Sequence, residues 1–447
     1  ILNAGSVNGT FGALVNSNLP ANFSDTLSYD AGHAYLNLAL SFAPPTGSSL
    51  GDALDANQRN VANALINYFS TTGGIPMVYG TLDRNGLSQA SGQPGASTAQ
   101  PALAAAGQFV NAVFDSAFDS YERNGPAGLH GEYQPNAYAA KREVSRDARD
   151  AYAAMTPRDR PAPSFVSRWS VWASAYGGNS RVNGDASAGG STTTSRVFGT
   201  AVGAAYRFAP NTQVGFALGG SGSSFDLDGG FGGGKADIFN TAVYAKHTSG
   251  AAYVAGLLAY SWQDTTTDRT VTVGGTDTLH ASFKAQAFVT RLESGWHSST
   301  PAIGVTPYAA LQTTTFYQPS YGETATSGSG NAFALNYASK AVTATRGELG
   351  AKFDKAVPVQ NGLFTLKAKA AWAHDWNTDR TAIATFQTLP GATFTVNGAQ
   401  PAANAVLASL GGEMVWHGGW SLGASFDGEF SRNTMSYAGR GVVKYAW

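Results

Sequence analysis

The stretch 443–447 reads VKYAW, ends the chain and decides the fold. Counted backwards in steps of two, Trp447, Tyr445 and Val443 share one face of a strand, and Lys444 lies on the other face. An apolar face that alternates with a charged one up to an aromatic carboxyl terminus is typical of outer-membrane β-barrels. In water this face would promote aggregation, whereas in a bilayer it contacts lipid.

The same period-two alternation recurs from Ser167 to the end of the chain. Each alternating segment is long enough to cross a hydrocarbon core when tilted, which takes about 9–11 residues. The twelve predicted strands are 167–179, 195–208, 211–223, 235–248, 251–263, 280–297, 302–317, 339–356, 362–376, 402–417, 419–431 and 436–447. The sequence therefore predicts an all-β fold, a 12-stranded antiparallel transmembrane β-barrel.

The connections between these strands alternate between short and long. Short ones include Pro210-Asn211, Ser249-Gly250 and Gly418, and long ones, rich in Gly, Ser and Thr, include 180–194, 264–279, 318–338 and 377–401. This rhythm indicates periplasmic turns and external loops, although the short eleventh connection near Arg432-Asn433 departs from it. An even strand number places both barrel ends in the periplasm. A soluble β-sandwich or β-solenoid shows the same alternation but does not predict the rhythm.

One face of several predicted strands carries charges of both signs, which we expect to pair across a hydrated lumen. This lumenal set is Arg346, Glu348, Lys352, Lys367, Lys369, Glu413, Asp427, Glu429 and Lys444. The opposite face carries apolar residues such as Leu366, Trp372 and Phe426 and should contact lipid. Interfacial girdles are predicted from Trp169, Trp262, Trp296, Trp376, Trp416, Trp420 and Trp447.

The predicted barrel covers residues 167–447. The residues before it divide into three segments. Residues 1–43 alternate in short strands and predict the C-terminal end of a β-solenoid. Residues 44–121 predict a helical junction, with helices over 52–69 and 98–121 that pack on each other or on the solenoid end. Residues 122–166 carry dense charge followed by several prolines.

We predict that segment 122–166 is a linker with a pore helix, because a helix that is polar on all sides suits the inside of a hydrated barrel. Its charged residues are Lys141, Arg142, Glu143, Arg146, Asp147, Arg149 and Asp150. Such a helix would cross the lumen from the outside to the periplasm, where the first strand must start. The alternative is a solvated, flexible linker.

Composition excludes several classes of protein. A net charge of -1 with 13% charged residues argues against a nucleic-acid binder, and the absence of cysteine excludes disulfides and thiolate metal sites. No apolar run is long enough for a transmembrane helix, which takes about 18 residues. No signal peptide is visible. Because Ile1 begins inside a β pattern, we expect the chain to be part of a longer exported precursor.

No motif in this sequence strongly indicates a nucleotide-binding, metal-binding or catalytic site. Residues 229–236 approach the P-loop pattern, but Ala236 replaces the residue that holds magnesium, and a strand follows. The seven histidines do not cluster at ligand spacing, so we predict no metal and no cofactor. We assign no catalytic residue. Two alternative functions stay open. His374-Asp375 near a barrel rim would suit an outer-membrane esterase or protease, and the barrel could also be a passive solute pore.

Longer stretches of the sequence are more informative about its family than these short motifs. They include RWSVWASAYGG (168–178), SRVFGTAVGAAYRFAPNTQVGFALGG (195–220), SWQDTTTDRTVTV (261–273), AWAHDW (371–376), ATFQTLPGA (384–392) and FDGEFSRNTMSYAGRGVVKYAW (426–447). These stretches resemble the classical (type Va) autotransporters, especially large alphaproteobacterial proteins with an autotransporter domain. Upstream, LPANFSDTLSYDAGHAYLNLAL (19–40) is similar to the last solenoid segment before the barrel in that family.

The resemblance implies a translocator in the bacterial outer membrane that exports and anchors its own passenger, with the residues before the pore helix on the cell surface. It implies as partners the barrel-assembly machinery, periplasmic chaperones, outer-membrane lipid and lipopolysaccharide, and the chain's own passenger. By matching position, Val443, Tyr445 and Trp447 would be the signal that the assembly machinery recognises. Residues 122–165 contain no Asn-Asn pair, so we do not expect self-cleavage inside the barrel.

Overall fold

The computed structural model describes residues 2–42, 54–118, 168–300, 302–328 and 331–447. The first two ranges contain short strands followed by helices. These elements are β1 Leu2–Asn3, β2 Phe23–Tyr29, β3 His33–Leu40, α1 Ala56–Thr72, a 3-10 helix Met77–Thr81, α2 Arg84–Ala90, α3 Gln93–Ser97 and α4 Ala99–Phe118.

Twelve long strands follow from residue 169 onward, one for each predicted strand. They are β4 Trp169–Val182, β5 Thr193–Ala209, β6 Thr212–Leu227, β7 Gly233–Ser249, β8 Ala252–Val271, β9 Asp277–Trp296, β11 Gly304–Gln318, β15 Lys340–Val359, β16 Gly362–Asp375, β19 Asn404–Trp416, β20 Trp420–Phe430 and β21 Thr434–Ala446. Short strands lie among them: β10 Ser298–Ser299, β12 Tyr321–Gly322, β13 Thr324–Ser327, β14 Leu335–Tyr337, β17 Thr381–Phe386 and β18 Thr393–Asn397.

The long strands form a closed antiparallel barrel. Each pairs with the next long strand along the chain, and β21 pairs with β4 over residues 434–446 and 170–182. The Trp169 N–H donates to the Trp447 carbonyl at 3.1 Å, and the Trp447 N–H donates to the Trp169 carbonyl at 3.0 Å. Closure satisfies the backbone groups that the edge strands would otherwise leave open. The predicted 12-stranded antiparallel barrel is therefore confirmed.

The outward face of the barrel is apolar, as the alternation predicted. Phe198 is 70% exposed, Leu349 57% and Leu410 60%, which is the exposure expected of side chains that contact lipid. Exposed tryptophans lie close to the short-turn ends of the strands, namely Trp169, Trp296, Trp416, Trp420 and Trp447. Trp262 and Trp376 lie closer to the long-loop side. Two aromatic belts of this kind mark the two membrane interfaces.

Leu410 offers a test of this lipid-facing surface. It lies near the middle of β19, between Ala368 on β16 and Phe426 on β20. We expect Leu410→Arg to lower the free energy of unfolding by about 2–4 kcal/mol, because it places a charge near the bilayer midplane. Urea unfolding in liposomes, followed by heat-modifiable gel mobility, measures this loss.

The matched control for this prediction is Met435→Arg. Met435 is also exposed on the outer face but lies at the long-loop end of β21, where the cost should fall to about 0–1 kcal/mol. Equal losses from the two substitutions would contradict the depth that we assign to Leu410.

Two long loops fold into a small sheet at the long-loop end of the barrel, with the strand order β12-β14-β17-β18. The sequence predicted loops over 318–338 and 377–401 but no strands within them. Helices α1–α3 pack with this sheet, and we call the assembly of residues 54–98, 319–328, 331–339 and 376–403 the cap. Its fully buried side chains include Leu65, Tyr79, Leu82, Leu87, Phe333, Leu335, Tyr337, Phe386 and Leu389.

Helix α1 begins and ends with recognisable local signals. The Asp55 carboxylate accepts from the Gln58 N–H at 2.8 Å, and the Gln58 side chain accepts from the Asp55 N–H at 3.0 Å, which is a reciprocal capping box. Gly73 follows the helix in the left-handed region, with φ 73°. The helix therefore covers 56–72 rather than the predicted 52–69. Among the described helices, none combines the length and the apolarity that a membrane crossing requires.

The amino-terminal strands form an antiparallel sheet with the order β1-β3-β2, not stacked solenoid rungs. The β2–β3 connection is tight, because the Asp30 carboxylate accepts from the Gly32 N–H at 2.8 Å and the Asp30 N–H donates to the His33 carbonyl at 3.0 Å. The described strands are therefore an antiparallel hairpin rather than rungs, whereas the assignment of residues 1–43 to the end of a solenoid stays a prediction. Alternation alone does not distinguish rungs from a hairpin, whereas the turn residues do.

Candidate functional site: the barrel lumen

The inside of the barrel has two chemically different halves. The inward side chains of β4–β8 are mostly small or aromatic, and we call this surface the apolar wall. Its buried members include Trp172, Tyr176, Val197, Ala201, Ala205, Ala217, Ala242, Tyr244, Ala255 and Leu257. The inward side chains of β15, β16 and β19–β21 include the predicted lumenal charges, and we call this surface the charged wall.

Helix α4 lies inside the barrel and packs on the apolar wall. Phe109, Val110 and Val113 are 0% exposed there. A Cβ atom on Gly219 of β6 would lie 2.9 Å from the Phe109 ring, so the glycine makes room for the helix. Phe118 meets Tyr244 edge to face with ring centroids 5.4 Å apart. Complete burial of such apolar side chains contributes about 1.5–3 kcal/mol each.

Polar contacts at the two ends of α4 define its direction. At the long-loop end, the Thr98 hydroxyl donates to the Gln318 side chain at 2.6 Å, where β11 ends. At the short-turn end, Gln213 donates through Nε2 to the Ala117 carbonyl at 2.9 Å, and Lys246 donates through Nζ to the Phe118 carbonyl at 3.0 Å. These bonds satisfy carbonyls of the last turn. The helix has 20 residues, so it is about 30 Å long and crosses the barrel from the cap to the turns.

This position corrects one prediction and leaves another untested. The helix predicted over 98–121 was expected to pack on its neighbouring helix or on the solenoid end, but α4 packs inside the barrel instead. The predicted pore helix in 122–166, with Lys141, Arg142, Glu143, Arg146, Asp147, Arg149 and Asp150, lies outside the described residues. Phe118 and Arg168, which flank the segment 119–167, both lie on the short-turn side.

The lumenal charges form two layers of ion pairs. In the layer nearer the cap, Arg346 bridges two carboxylates, Asp375 at 2.7 Å and Glu429 at 2.8 Å. Lower in the lumen, Lys367 pairs with Glu413 at 2.8 Å. Charges in such a site are stabilised by their partners against the cost of desolvation.

Besides Asp375, four residues outside the predicted lumenal set complete these networks. Arg291 pairs with Glu348 at 2.8 Å and with Glu293 at 2.9 Å, and Glu293 also pairs with Lys352 at 2.6 Å. Arg440 pairs with Asp427 at 2.9 Å, and it also pairs with Asp115 of α4. The inward period of β9 and β21 could have identified Arg291, Glu293 and Arg440. Asp115 could not have been found, because it required the position of α4.

Lys369 and Lys444, the remaining predicted lumenal charges, line a cavity beside α4.

The assembly residues Val443, Tyr445 and Trp447 lie on the outer face at the end of β21. Tyr445 stacks between Trp420 and Trp447, with ring centroids 4.8 and 5.5 Å away. The structure thus places the predicted lumenal set and the predicted assembly signal on opposite faces of the wall.

The alternative catalytic pair does not come together. His374 and Asp375 are neighbours in a strand, so their side chains point to opposite faces. The His374 ring bonds to the Asn404 side chain at 3.0 Å, whereas Asp375 accepts from Arg346. Among the described residues, no group of three or more His, Asp or Glu could hold a metal ion.

Another buried ion pair, outside the lumenal networks, lies where the cap meets the barrel. Arg269 of β8 pairs with Glu323 at 2.6 Å, and their side chains are 2% and 3% exposed. The guanidinium also donates to the Gln89 carbonyl of α2 and to the Phe333 carbonyl, both at 2.7 Å. One arginine therefore joins a barrel strand, a cap helix and a cap loop.

Comparisons with known proteins agree with this architecture. The family model described as autotransporter beta-domain matches residues 171–427. The chain is similar in structure to the translocator domain of autotransporter NalP from Neisseria meningitidis, with a TM-score of 0.51 and 20% identity, over 67% of this chain and 97% of that one. It is also similar to the beta domain of the Bordetella autotransporter BrkA, with a TM-score of 0.48 and 17% identity, over 63% of this chain and 100% of that one. No curated protein matches the chain.

Proposed function

The chain belongs to the autotransporter beta-domain family, and we propose that its barrel exports the residues that precede α4 and holds them at the cell surface. Membership makes it an outer-membrane translocator for a passenger. Passage of α4 through the lumen is the observation that carries the proposal. The described residues 54–98 lie at the long-loop end, the last turn of α4 lies at the short-turn end, and the closed barrel separates the two ends.

The cap supports an order of events. Its core is shared between helices α1–α3 and the loop strands, so neither part buries its apolar side chains without the other. The cap can therefore be completed only after residues 54–98 have passed through the barrel. We infer that cap formation ends translocation.

The amino-terminal sheet is seated on the finished cap. Phe23 of β2 meets Phe69 of α1 with ring centroids 5.6 Å apart. A Cβ atom on Gly80 would lie 2.3 Å from the Phe23 ring, and Asn22 donates through Nδ2 to the Leu82 carbonyl at 2.7 Å. This contact suits a base that anchors a displayed passenger.

Several partners belong to the same proposal. The apolar belt fits outer-membrane lipid and lipopolysaccharide, and Val443, Tyr445 and Trp447 present an aromatic terminus to the barrel-assembly machinery. Periplasmic chaperones would hold the alternating strands before insertion, since these expose apolar faces. Translocator domains of this family are generally not enzymes, and we propose no catalysis for this chain.

An epitope insertion tests the orientation. A tag inserted after Gly12, in an exposed part of the amino-terminal segment, should bind antibody on intact cells. The same tag inserted after Gly250, in the turn between β7 and β8, should bind antibody only after the outer membrane is permeabilised. The reverse pattern would place the cap in the periplasm and refute the proposal.

A further inference from the structure

At the long-loop end, the outer face of the barrel is charged on one side only. On β4–β9 the outward residues beyond the aromatic belt include Arg181, Arg196, Asp226, Lys235, Asp237, Asp264, Asp268 and Lys284. On β11, β15, β16 and β19–β21 the outward residues at the same end are uncharged, for example Tyr317, Thr343 and Phe430. The two sides of the barrel therefore present different chemistry to the membrane surface.

The charges begin where the hydrocarbon ends. The Lys284 ammonium lies 5.5 Å from the centre of the Trp262 ring, and tryptophans of such belts lie at the level of the lipid head groups. On β5 and β7, Arg196 and Lys235 follow the exposed rings of Phe198 and Phe239 on the long-loop side. These cations are therefore placed to meet head groups, while the rings below them meet acyl chains.

Arg196 and Lys235 flank a serine. Ser224 of β6 is opposite Arg196 on one side and opposite Lys235 on the other, so the two cations are two strand spacings apart, about 9–10 Å. Lys235 forms no hydrogen bond or ion pair with any residue that the structure describes. Arg196 lies 3.8 Å from Asp226, with side chains 63% and 73% exposed, and such exposed pairs are weak. Both cations can therefore bind an anion placed over Ser224.

The wall directly below Ser224 has a gap in its apolar surface. Gly220 lies on the same face of β6, and a Cβ atom there would meet nothing within 4 Å. Phe239 lies opposite Gly220, and Phe198 lies opposite Gly222, close to where its Cβ atom would be. The two rings are 51% and 70% exposed. The gap leaves room for an acyl chain along β6, below an anion held at Ser224.

We propose that β5–β7 bind lipid A, the phosphorylated glycolipid of lipopolysaccharide, with a phosphate between Arg196 and Lys235 and an acyl chain over Gly220. Guanidinium and ammonium groups are strong partners of phosphate. Asp226 and Asp237 lie beside the two cations, and they match the divalent cations that bridge lipid A phosphates. The inference rests on the proposed orientation, which places the long-loop end in the outer leaflet, where lipopolysaccharide lies.

A photo-crosslinker tests the contact in cells. Benzoylphenylalanine at Thr200, opposite Gly220 on the outer face, should attach lipopolysaccharide on illumination. The matched control is the same crosslinker at Thr343, an outward threonine on the uncharged side, which should give several-fold less product. Adding Arg196→Gln and Lys235→Gln should lower the yield at Thr200 about tenfold, because charge-assisted hydrogen bonds to phosphate are lost.

Binding in detergent separates this inference from the orientation, because it does not depend on which way the barrel faces. By native mass spectrometry, the full chain should bind diphosphorylated lipid A about tenfold more tightly than the Arg196→Gln, Lys235→Gln variant does. It should prefer lipid A to phosphatidylglycerol and to dephosphorylated lipid A by a similar factor. Lys355→Gln with Arg432→Gln removes the same charge from other exposed positions and should leave binding unchanged.

Heat-modifiable mobility confirms that each variant is folded. Equal lipid A binding by the unchanged chain and the Arg196→Gln, Lys235→Gln variant would overturn the inference. Equal binding of phosphatidylglycerol and lipid A, or equal crosslinking at Thr200 and Thr343, would do the same. If the epitope tags show the proposed orientation, any of these results overturns the lipid A site alone and leaves the proposed function standing.

Discussion

Removal of residues 443–447 should abolish the assembled barrel in the outer membrane. The truncation deletes the end of β21, which pairs with residues 170–173 of β4, and both hydrogen bonds between Trp447 and Trp169. It also removes the stack of Trp420, Tyr445 and Trp447. Each backbone group left open in lipid costs several kcal/mol. Folded protein, measured by heat-modifiable mobility of outer-membrane fractions, should fall by an order of magnitude or more.

Two controls separate closure of the barrel from recognition of its terminus. Trp447→Ala keeps the backbone bonds to Trp169 but removes the aromatic ring, so it should fold into liposomes in vitro and be impaired mainly in cells. Ala446→Ser changes the residue before Trp447, whose side chain faces the lumen and not the lipid, so this variant should assemble normally. If the chain without 443–447 reached the membrane in normal amounts, the last strand would not be what closes the barrel.

The twelve strands could be predicted from sequence because lipid on one face and water on the other impose a period of two. The ends of the strands on the long-loop side were less predictable. Strands β8 and β9 each have 20 residues and continue beyond Trp262, which belongs to the aromatic belt on the long-loop side. Beyond Trp262, polar residues such as Asp264 and Lys284 face outward. Beyond the bilayer, the outer face no longer has to be apolar, so the alternation weakens.

The position of α4 in the lumen could not be found by searching for a charged helix. A hydrated lumen suits a charged helix, which stays the prediction for 122–166, but the side of the lumen that α4 covers is apolar. The signal was present in β5, where Val197, Ala201 and Ala205 face inward while Phe198 and Val202 face outward. A strand that is apolar on both faces is covered on both. The apolar helix α4 is what covers it inside.

The cap could not be predicted from periodicity, because its strands are short and its core is assembled from distant segments. Tyr79 illustrates this, since its ring packs between Phe333 and Phe386, with centroids 5.3 Å from each. Burial raises the pKa of Tyr79 to about 12, so its hydroxyl stays protonated and donates to the Ala332 carbonyl. Only the fold brings a residue of the helical segment between two long loops.

The ion pair between Arg269 and Glu323 should decide the stability of the cap. We expect Glu323→Ala to destabilise the cap by about 3–5 kcal/mol, because it leaves the buried Arg269 without its carboxylate. It also removes an acceptor of the Leu335 N–H, at 2.9 Å, and of the Tyr337 hydroxyl, at 3.2 Å. Trypsin should then cleave after the cap residues Arg59, Arg84 and Arg380 roughly a hundred times faster or more, if opening limits cleavage.

The double variant Arg269→Met with Glu323→Leu provides the decisive comparison for the cap. Replacing both charges by apolar side chains removes the unpaired cation, so most of the protease resistance should return. Heat-modifiable mobility should stay unchanged in both variants, because the barrel is closed independently by β4 and β21. Equal cleavage of the single and double variants would mean that the charge pair itself, and not the cost of an unpaired arginine, holds the cap on the barrel.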